Sequence, residues 1–114
     1  MTERTPAGVG VCEVIITGPG QGWAATLTRA LVDERLAACG HIINEIRSIY
    51  RWEGSVHDKA EVRVSLHTRT GLVAAITDRA RADHPYAVPC VIAVPIAGGS
   101  PAYINWILAE TDAG

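Results

Sequence analysis

Polar and apolar residues alternate along residues 59–68, and no other segment constrains the fold of this chain so strongly. The period of two predicts a β-strand with one buried face and one solvated face. Its apolar positions are Ala60, Val62, Val64 and Leu66. Further β-rich segments cover residues 10–17, 42–52 and 88–96, and helical segments cover residues 21–38, residues 71–82 and the stretch after Pro101.

The order of these elements is β-α-β-β-α-β followed by a short helix, which is typical of the ferredoxin-like split βαβ arrangement. We therefore expect an α/β (α+β) fold in which a four-stranded antiparallel sheet carries two helices on one face, plus a C-terminal helix. The first helix is expected to end at residues 39–40, and Thr70 is expected to cap the second helix. Pro89 and Pro95 cannot donate hydrogen bonds to a neighbour, so the last strand is predicted at a sheet edge.

Length and charge restrict the function classes. A chain of 114 residues has the size of one domain, and we expect residues 10–112 to form it behind a flexible tail at residues 1–9. The net charge is −2 and the only lysine is Lys59, so the sequence indicates no nucleic-acid partner. No apolar run is long enough for a membrane span, and the N-terminus lacks the apolar core of a secretion signal. A cytoplasmic protein with reduced cysteines is the resulting expectation.

Self-association is expected because the first and fourth strands carry apolar residues on both faces. Two helices cover only one face of the predicted sheet, and large exposed apolar patches are uncommon on monomers. The C-terminal helix can cover part of the second face, or the whole of it. Another copy of the chain is the natural cover for the rest.

Four segments resemble one family jointly, in the same order and spacing. They are residues 36–39 (LAAC), 48–54 (SIYRWEG), 84–89 (HPYAVP) and 103–107 (YINWI). Together they look like the CutA family of divalent-ion tolerance proteins. The resemblance implies a homotrimer of ferredoxin-like subunits built like the PII signalling proteins. It also implies a link to tolerance of copper and other divalent metals, and no enzymatic activity.

The chain departs from the family pattern at several polar positions. Gly40 and His41 stand where Val-Asn is usual, and Ala87 and Cys90 replace two glutamates. His67 stands where a lysine is common. These changes remove two carboxylates and an amine from the polar cluster that the resemblance implies, whereas the strand glutamate, Glu61, is retained.

Cys39 and His41 are the candidate metal ligands. Cys39 matches the family cysteine, and alternate residues of a strand face the same side. A thiolate with an imidazole suits copper, Cu(I) especially, and other divalent metals remain open. Threefold symmetry can bring three copies of this pair together, or a third donor can come from His67 or Cys90 of a neighbouring copy. The alternative is a buried small side chain beside a surface histidine.

An aromatic set forms a second candidate site. Its rings can line a pocket for a small molecule between subunits, or they can pack an interface. The set comprises Tyr50, Trp52, His84, Tyr86 and Tyr103, with Glu61 and His67 on the polar face of the third strand.

Two other functions compete with metal binding. A PII-like regulator would sense a small anionic metabolite at the subunit clefts. A cysteine hydrolase would use Cys39 and His41, but a nucleophile and base also need an orienting group, and alternate strand positions supply none. Cys12 and Cys90 are expected to be buried packing residues, and His57 is expected to be solvated.

Overall fold

The computed structural model describes residues 10–112, so the expected tail at residues 1–9 lies outside the described residues. Four strands and three helices follow one another in the predicted order, with a 3₁₀ turn before the second helix. The elements are β1 (Val11–Gly18), α1 (Gln21–Asp33), β2 (Cys39–Trp52), β3 (Ser55–Arg69), the 3₁₀ turn (Thr70–Leu72), α2 (Val73–Asp83), β4 (Val91–Pro95) and α3 (Pro101–Glu110). The ferredoxin-like α+β fold predicted from the sequence is confirmed.

The strands form one antiparallel sheet in the order β2-β3-β1-β4. β1 is central and β4 lies at an edge, as predicted from Pro95 and from Pro89, which precedes the strand. The register places Cys39 of β2 opposite His67 of β3, and His67 opposite Glu13 of β1. Because residues that pair across strands share a face, these three side chains form a row on one side of the sheet.

The main hydrophobic core lies between the sheet and the helices α1 and α2. Burial of its apolar side chains is the chief force that holds both helices on the sheet. The largest fully buried members are Ile16, Leu31, Leu66 and Ile76.

The opposite face is covered in part by α3. Ile104 and Ile107 of α3 pack with Val11 and Ala38 in a second, smaller core. Glu61 and the nearby Ser65 were predicted to be solvated, and both are buried with 6% of their surface exposed. The prediction was wrong there because a two-residue period reports which residues share a face, and it does not report what later segments place over that face.

The first helix ends at Asp33, five residues before the predicted end. The amides of Arg35 and Leu36 donate to the carbonyls of Val32 and Leu31 at 3.0 and 2.9 Å. Arg35 has a positive φ of 61°, and these two bonds with a left-handed residue make a Schellman C-cap. The early stop lets β2 begin at Cys39, directly after the segment predicted to be helical and three residues before the predicted start of the strand at residue 42.

Thr70 does not cap a helix. It begins the 3₁₀ turn, and neither this turn nor α2 has a capping hydrogen bond from a side chain. Within residues 10–112, no helix has the length and apolar character needed to cross a bilayer.

The hairpin of β2 and β3 extends away from the rest of the domain. Its turn is made by Glu53 and Gly54, both with positive φ, and residues 51–60 are all exposed. The described chain measures 53 × 24 × 22 Å, and this elongation reflects the projecting hairpin.

Candidate metal site

Cys39 and His67 meet because the register of β2 and β3 places them directly opposite each other. The Cys39 Sγ lies 3.7 Å from the His67 Nδ1. Tyr103 reaches the same point from α3, with its hydroxyl oxygen 3.3 Å from the Cys39 Sγ and 2.5 Å from the His67 Nδ1. A thiol, an imidazole and a phenol therefore converge where α3 crosses the sheet.

Glu13 holds the far side of the His67 ring. Its Oε2 lies 2.9 Å from the His67 Nε2, and its other carboxylate oxygen lies 3.6 Å from the Arg63 guanidinium. In neutral His67 a carboxylate partner favours the tautomer whose Nε2–H donates to Glu13. That tautomer leaves the Nδ1 lone pair facing Cys39 and accepting the Tyr103 O–H.

His41 completes the cluster on the solvent side. Its ring lies edge-on to the His67 ring, with 5.4 Å between centroids, and the residue is exposed. One donor atom from each of Cys39, His41 and His67 lies within 4.8 Å of the other two. His67 thus comes from the same chain, whereas the sequence hypothesis sought this third donor on a neighbouring copy.

The donor set fits a thiophilic transition metal. Thiolate and imidazole are preferred by copper and zinc, whereas calcium and magnesium need oxygen ligands. Histidine ligands commonly donate their second ring N–H to a carboxylate, and Glu13 already occupies that place. A 4.8 Å span is wider than the ~3.5 Å between ligands of a tetrahedral site with bonds of about 2.0–2.3 Å. Exposed His41 must therefore rotate inward, and the Tyr103 hydroxyl must leave Nδ1.

Tyr103 stays protonated over a wide pH range. Burial raises the pKa of Tyr103 to about 12, with further contributions from the adjacent Cys39 and Glu13. A neutral phenol donates a hydrogen bond to the His67 Nδ1 and places no negative charge beside the Cys39 thiol.

The cluster argues less well for a cysteine hydrolase. The proposed base, His41, is not the imidazole nearest the thiol. His67 is nearer and has Glu13 as an orienting group, and its Nδ1 lies 3.7 Å from Sγ, within the reach of a hydrogen bond to sulfur. The Tyr103 oxygen is the closer partner of both atoms.

The aromatic set splits into two groups. Tyr50, Trp52, Glu61 and Tyr86 line one groove of about 660 Å³ beside the hairpin. Tyr103 and His67 belong instead to the candidate metal site around Cys39. Within one copy of the chain these residues therefore lie in two separate regions, and the pocket expected between subunits stays a prediction.

His84 supports the groove from behind. Its Nε2–H donates to the Thr17 carbonyl at 2.8 Å, and its Nδ1 accepts the Tyr86 amide at 3.1 Å. The ring also packs edge-on against Trp23. With both nitrogens bonded to the backbone, His84 orients Tyr86 and offers no ligand atom.

The other cysteines and His57 lie apart from this cluster. Cys12 is buried as predicted, and burial raises the pKa of its thiol. Cys90 is exposed and lines the groove, so the prediction that it is buried was wrong. It precedes β4 rather than lying within the strand. His57 is exposed and stacks on Tyr50.

A comparison with protein families gives one match over this fold. The model described as "CutA1 divalent ion tolerance protein" matches residues 12–110, which include every side chain of the cluster and the groove. The chain belongs to the CutA1 family. The resemblance seen in the four sequence segments is thereby confirmed.

Relatives within the CutA1 family are similar in both sequence and structure. The divalent-cation tolerance protein CutA of Thermus thermophilus is 42% identical over 98 residues, covering 86% of this chain and 95% of the relative. A solved structure of the Thermus thermophilus protein superposes with a TM-score of 0.87 at 40% identity, over 90% of this chain and 99% of the other. Rice CutA1 gives a TM-score of 0.89 at 37% identity, over 92% and 96%.

Mammalian CutA1 relatives are longer. Mouse protein CutA is 39% identical over 102 residues, which covers 90% of this chain but 58% of the mouse protein. This chain therefore spans somewhat over half the length of that relative.

Two residues important to these sites were missed in the sequence. Glu13 interrupts an otherwise apolar central strand, and such a carboxylate requires a partner. Lys59 is the only lysine of the chain, and its ammonium lies over the Tyr86 ring in the groove. The isolated Glu13 can be seen in the sequence. The position of Lys59 beside Tyr86 cannot, because it depends on the path of the chain after α2.

Proposed function

We propose that this CutA1-family chain binds copper, or a divalent metal of similar preference, through Cys39, His41 and His67. The observation that carries the proposal is the convergence of one sulfur and two imidazole nitrogens within 4.8 Å. The Thermus relative is named a divalent-cation tolerance protein, which agrees with a role in metal binding. The proposed role is binding, without catalysis.

Copper is favoured by the chemistry of the donors. Thiolate is the preferred partner of Cu(I), and imidazole accepts Cu(I) or Cu(II). Cys39 is half-buried while His41 faces solvent, so an ion can arrive at His41 and move inward to the thiolate. Binding should weaken as pH falls, because the thiol and imidazoles must lose protons to coordinate.

We also propose that the protein works as a homotrimer. The support is the apolar surface left open on β4, where Ile92 and Val94 are 54% and 45% exposed, and on the hairpin, where Ile49 is 62% exposed. A two-stranded hairpin projecting into water is marginally stable alone. Contacts with neighbouring copies would cover both regions.

Copper affinity in ligand variants tests the metal proposal. Cu(I) is titrated into reduced protein against a competing chelator, using the natural chain, Cys39→Ser, His41→Ala and His67→Ala. Each variant should lose at least about tenfold in affinity, the scale of loss expected even for groups that only orient a ligand. His57→Ala removes an exposed histidine outside the cluster and should bind as the natural chain does.

Unchanged affinity in both Cys39→Ser and His67→Ala would contradict the proposed site. Loss of copper binding in His57→Ala would show that the metal binds on the hairpin instead. Glu13→Gln provides a finer check, because it keeps a hydrogen-bond acceptor for His67 but removes the charge. We expect it to weaken copper binding by about 10-fold or more without abolishing it.

A further inference from the structure

The Tyr103 hydroxyl lies where a further ligand of the candidate metal site would lie. The Cys39 Sγ is 3.7 Å from the His67 Nδ1, and the Tyr103 oxygen is 3.3 Å from the sulfur and 2.5 Å from the nitrogen. Neighbouring ligands of a tetrahedral site with bonds of about 2.0–2.3 Å are ~3.5 Å apart. This triangle of sulfur, nitrogen and oxygen is therefore close to one face of such a site, and it is more compact than the set with His41, whose donors span 4.8 Å.

The fold holds the Tyr103 hydroxyl in this place without a neighbouring copy. Tyr103 lies in the first turn of α3, and Ile104 and Ile107 of the same helix are buried in the second core. Carbonyl groups near the end of α3 accept hydrogen bonds from Arg35 and Arg69. The thiol and the imidazole come from paired strands of the same chain, so one copy supplies every donor.

The donors also lie apart from the surfaces that the proposed trimer would cover, which are β4 and the projecting part of the hairpin. Cys39 is the first residue of β2, at the end of the hairpin that is remote from the turn. β2 and β4 form opposite edges of the sheet. Entry of a metal ion beside His41 therefore does not depend on exposure of the hairpin turn or of β4.

Charge divides the metal ions that this site can hold into two classes. Cu(I) with the Cys39 thiolate and neutral imidazoles forms a complex without net charge. A divalent ion with the same ligands keeps one positive charge, and an uncompensated charge is costly in a partly buried site. Glu13 is already paired with the Arg63 guanidinium at 3.6 Å. A phenolate from Tyr103 would cancel the charge of the divalent ion, whereas on Cu(I) it would add a negative charge.

Ligand preference gives the same division. Zn(II) in structural protein sites is almost always held by four ligands in a tetrahedron. Cu(I) is selected by soft thiolate, whereas an anionic oxygen is a hard ligand that suits a divalent ion better. A fourth ligand that is an oxygen anion therefore favours the divalent ion over Cu(I).

We propose that Tyr103 is a fourth metal ligand, which divalent ions such as Zn(II) use and Cu(I) does not. This inference rests on the proposed binding of metal by Cys39, His41 and His67. As the divalent ion binds, the hydrogen bond from the phenol to Nδ1 breaks, the phenol proton passes to solvent, and the oxygen and Nδ1 both coordinate the ion. A bound ion carries the largest charge in such a site and removes protons from its ligands.

Paired affinity measurements with Zn(II) and Cu(I) test this role. Each metal is titrated into the assembled, reduced protein against a competing chelator. Tyr103→Phe keeps the ring on α3 and removes only the oxygen, so its Zn(II) affinity should fall by at least about tenfold, the scale of loss expected even for groups that only orient a ligand. Its Cu(I) affinity should rise about threefold, because the hydrogen bond to Nδ1 no longer has to be broken. Tyr50→Phe removes a hydroxyl outside the site and should bind both metals as the natural chain does.

Ultraviolet difference spectroscopy gives a second measurement that does not depend on how a variant folds. Saturation of the natural chain with one Zn(II) per chain should produce the absorption of one ionised tyrosine. Tyr50→Phe should keep this signal, and Tyr103→Phe should lose it.

Three results would overturn the role of Tyr103: a Zn(II) affinity in Tyr103→Phe that is unchanged or higher, no tyrosinate signal on saturation with Zn(II), or equal losses of affinity for the two metals. The last result would show that Tyr103 only supports the structure of the site. If Cys39→Ser and His67→Ala still weaken Cu(I) binding, the metal site stands and only the fourth ligand is wrong. Unchanged Cu(I) affinity in both of those variants would contradict the metal site itself.

Discussion

At the scale of single residues, Tyr103 links the metal cluster to the pH dependence of stability. Its folded-state pKa of about 12 lies above the value near 10 of an unfolded tyrosine. The folded state therefore holds this proton more tightly. The contribution of this proton to the unfolding free energy is fully present below about pH 10 and is lost as pH rises towards 12.

Tyr103→Phe should remove this alkaline dependence while keeping the ring. In urea denaturation between pH 9 and pH 12, the unfolding free energy of the natural chain should fall more steeply than that of the variant. The ultraviolet titration of tyrosinate should also lose its step near pH 12. An identical alkaline slope in the two proteins would show that Tyr103 ionises as freely as an unfolded tyrosine.

The sequence identified some residues of the site and missed others for a physical reason. Cys39 was found because it matches the family cysteine, and His41 because it stands two residues further along, on the same face of the strand. His67 was named as a donor, but on a neighbouring copy. His67 and Glu13 join them through the register of three strands, and register depends on the whole sheet. Tyr103 arrives from α3, whose path over the sheet the local pattern does not specify.

At the scale of elements, the packing of α1 against β2 depends on Gly40. A Cβ atom built at Gly40 would lie 2.4 Å from the Thr28 Cγ2 and 2.9 Å from the Leu66 Cδ2. Gly40→Ala should therefore lower the unfolding free energy by about 1–3 kcal/mol, the usual cost of overpacking. Chemical denaturation measures this change, and Gly71→Ala is a control because nothing lies within 4 Å of its added Cβ.

A second substitution identifies the contact responsible. Thr28→Ser removes the Cγ2 atom that Gly40→Ala would meet, so the double variant should recover part of the lost stability. If the losses of unfolding free energy in the two single variants simply add in the double variant, α1 does not contact β2 at this point. Such coupling is expected only between neighbouring side chains.

Element order was predictable because each strand and helix has its own periodicity. The end of α1 was not predictable, because the apolar stripe of a helix does not reveal a C-cap that is formed by a residue other than glycine. Arg35 adopts the left-handed conformation at that cap, where glycine is the usual signal. Its guanidinium donates to the Ala109 carbonyl at 2.8 Å, a contact with the end of α3 that becomes visible only in the folded chain.

At the scale of the whole molecule, the projecting hairpin is the feature that points to assembly. The Cα radius of gyration is 15.1 Å, larger than the roughly 13 Å expected for a compact chain of this length. Trp52, near the tip, is 42% exposed. Burial of this exposed indole against another copy of the chain would stabilise both the hairpin and the assembly.

Trp52→Ala should weaken the proposed trimer, because buried aromatic residues often dominate interfaces. Light scattering after size exclusion should give three times the 12.1 kDa chain mass for the natural protein and a lower average mass for the variant at micromolar concentration. Trp106→Ala removes a tryptophan of similar exposure, 40%, from α3 and should not change the mass. A natural chain that is monomeric would contradict the assembly.

X-ray absorption at the copper edge identifies the atoms that bind the metal, and so tests the proposed ligands themselves. Protein with Cys90→Ser, loaded with one Cu(I) per chain, lacks the exposed thiol, so any sulfur bound to the metal must come from Cys39, the buried Cys12 or the Met1 thioether. We expect a first shell of one sulfur and two imidazole nitrogens, with the sulfur lost in the double variant Cys90→Ser/Cys39→Ser. A shell of nitrogen and oxygen without sulfur, or a sulfur that persists after Cys39 is replaced, would contradict it.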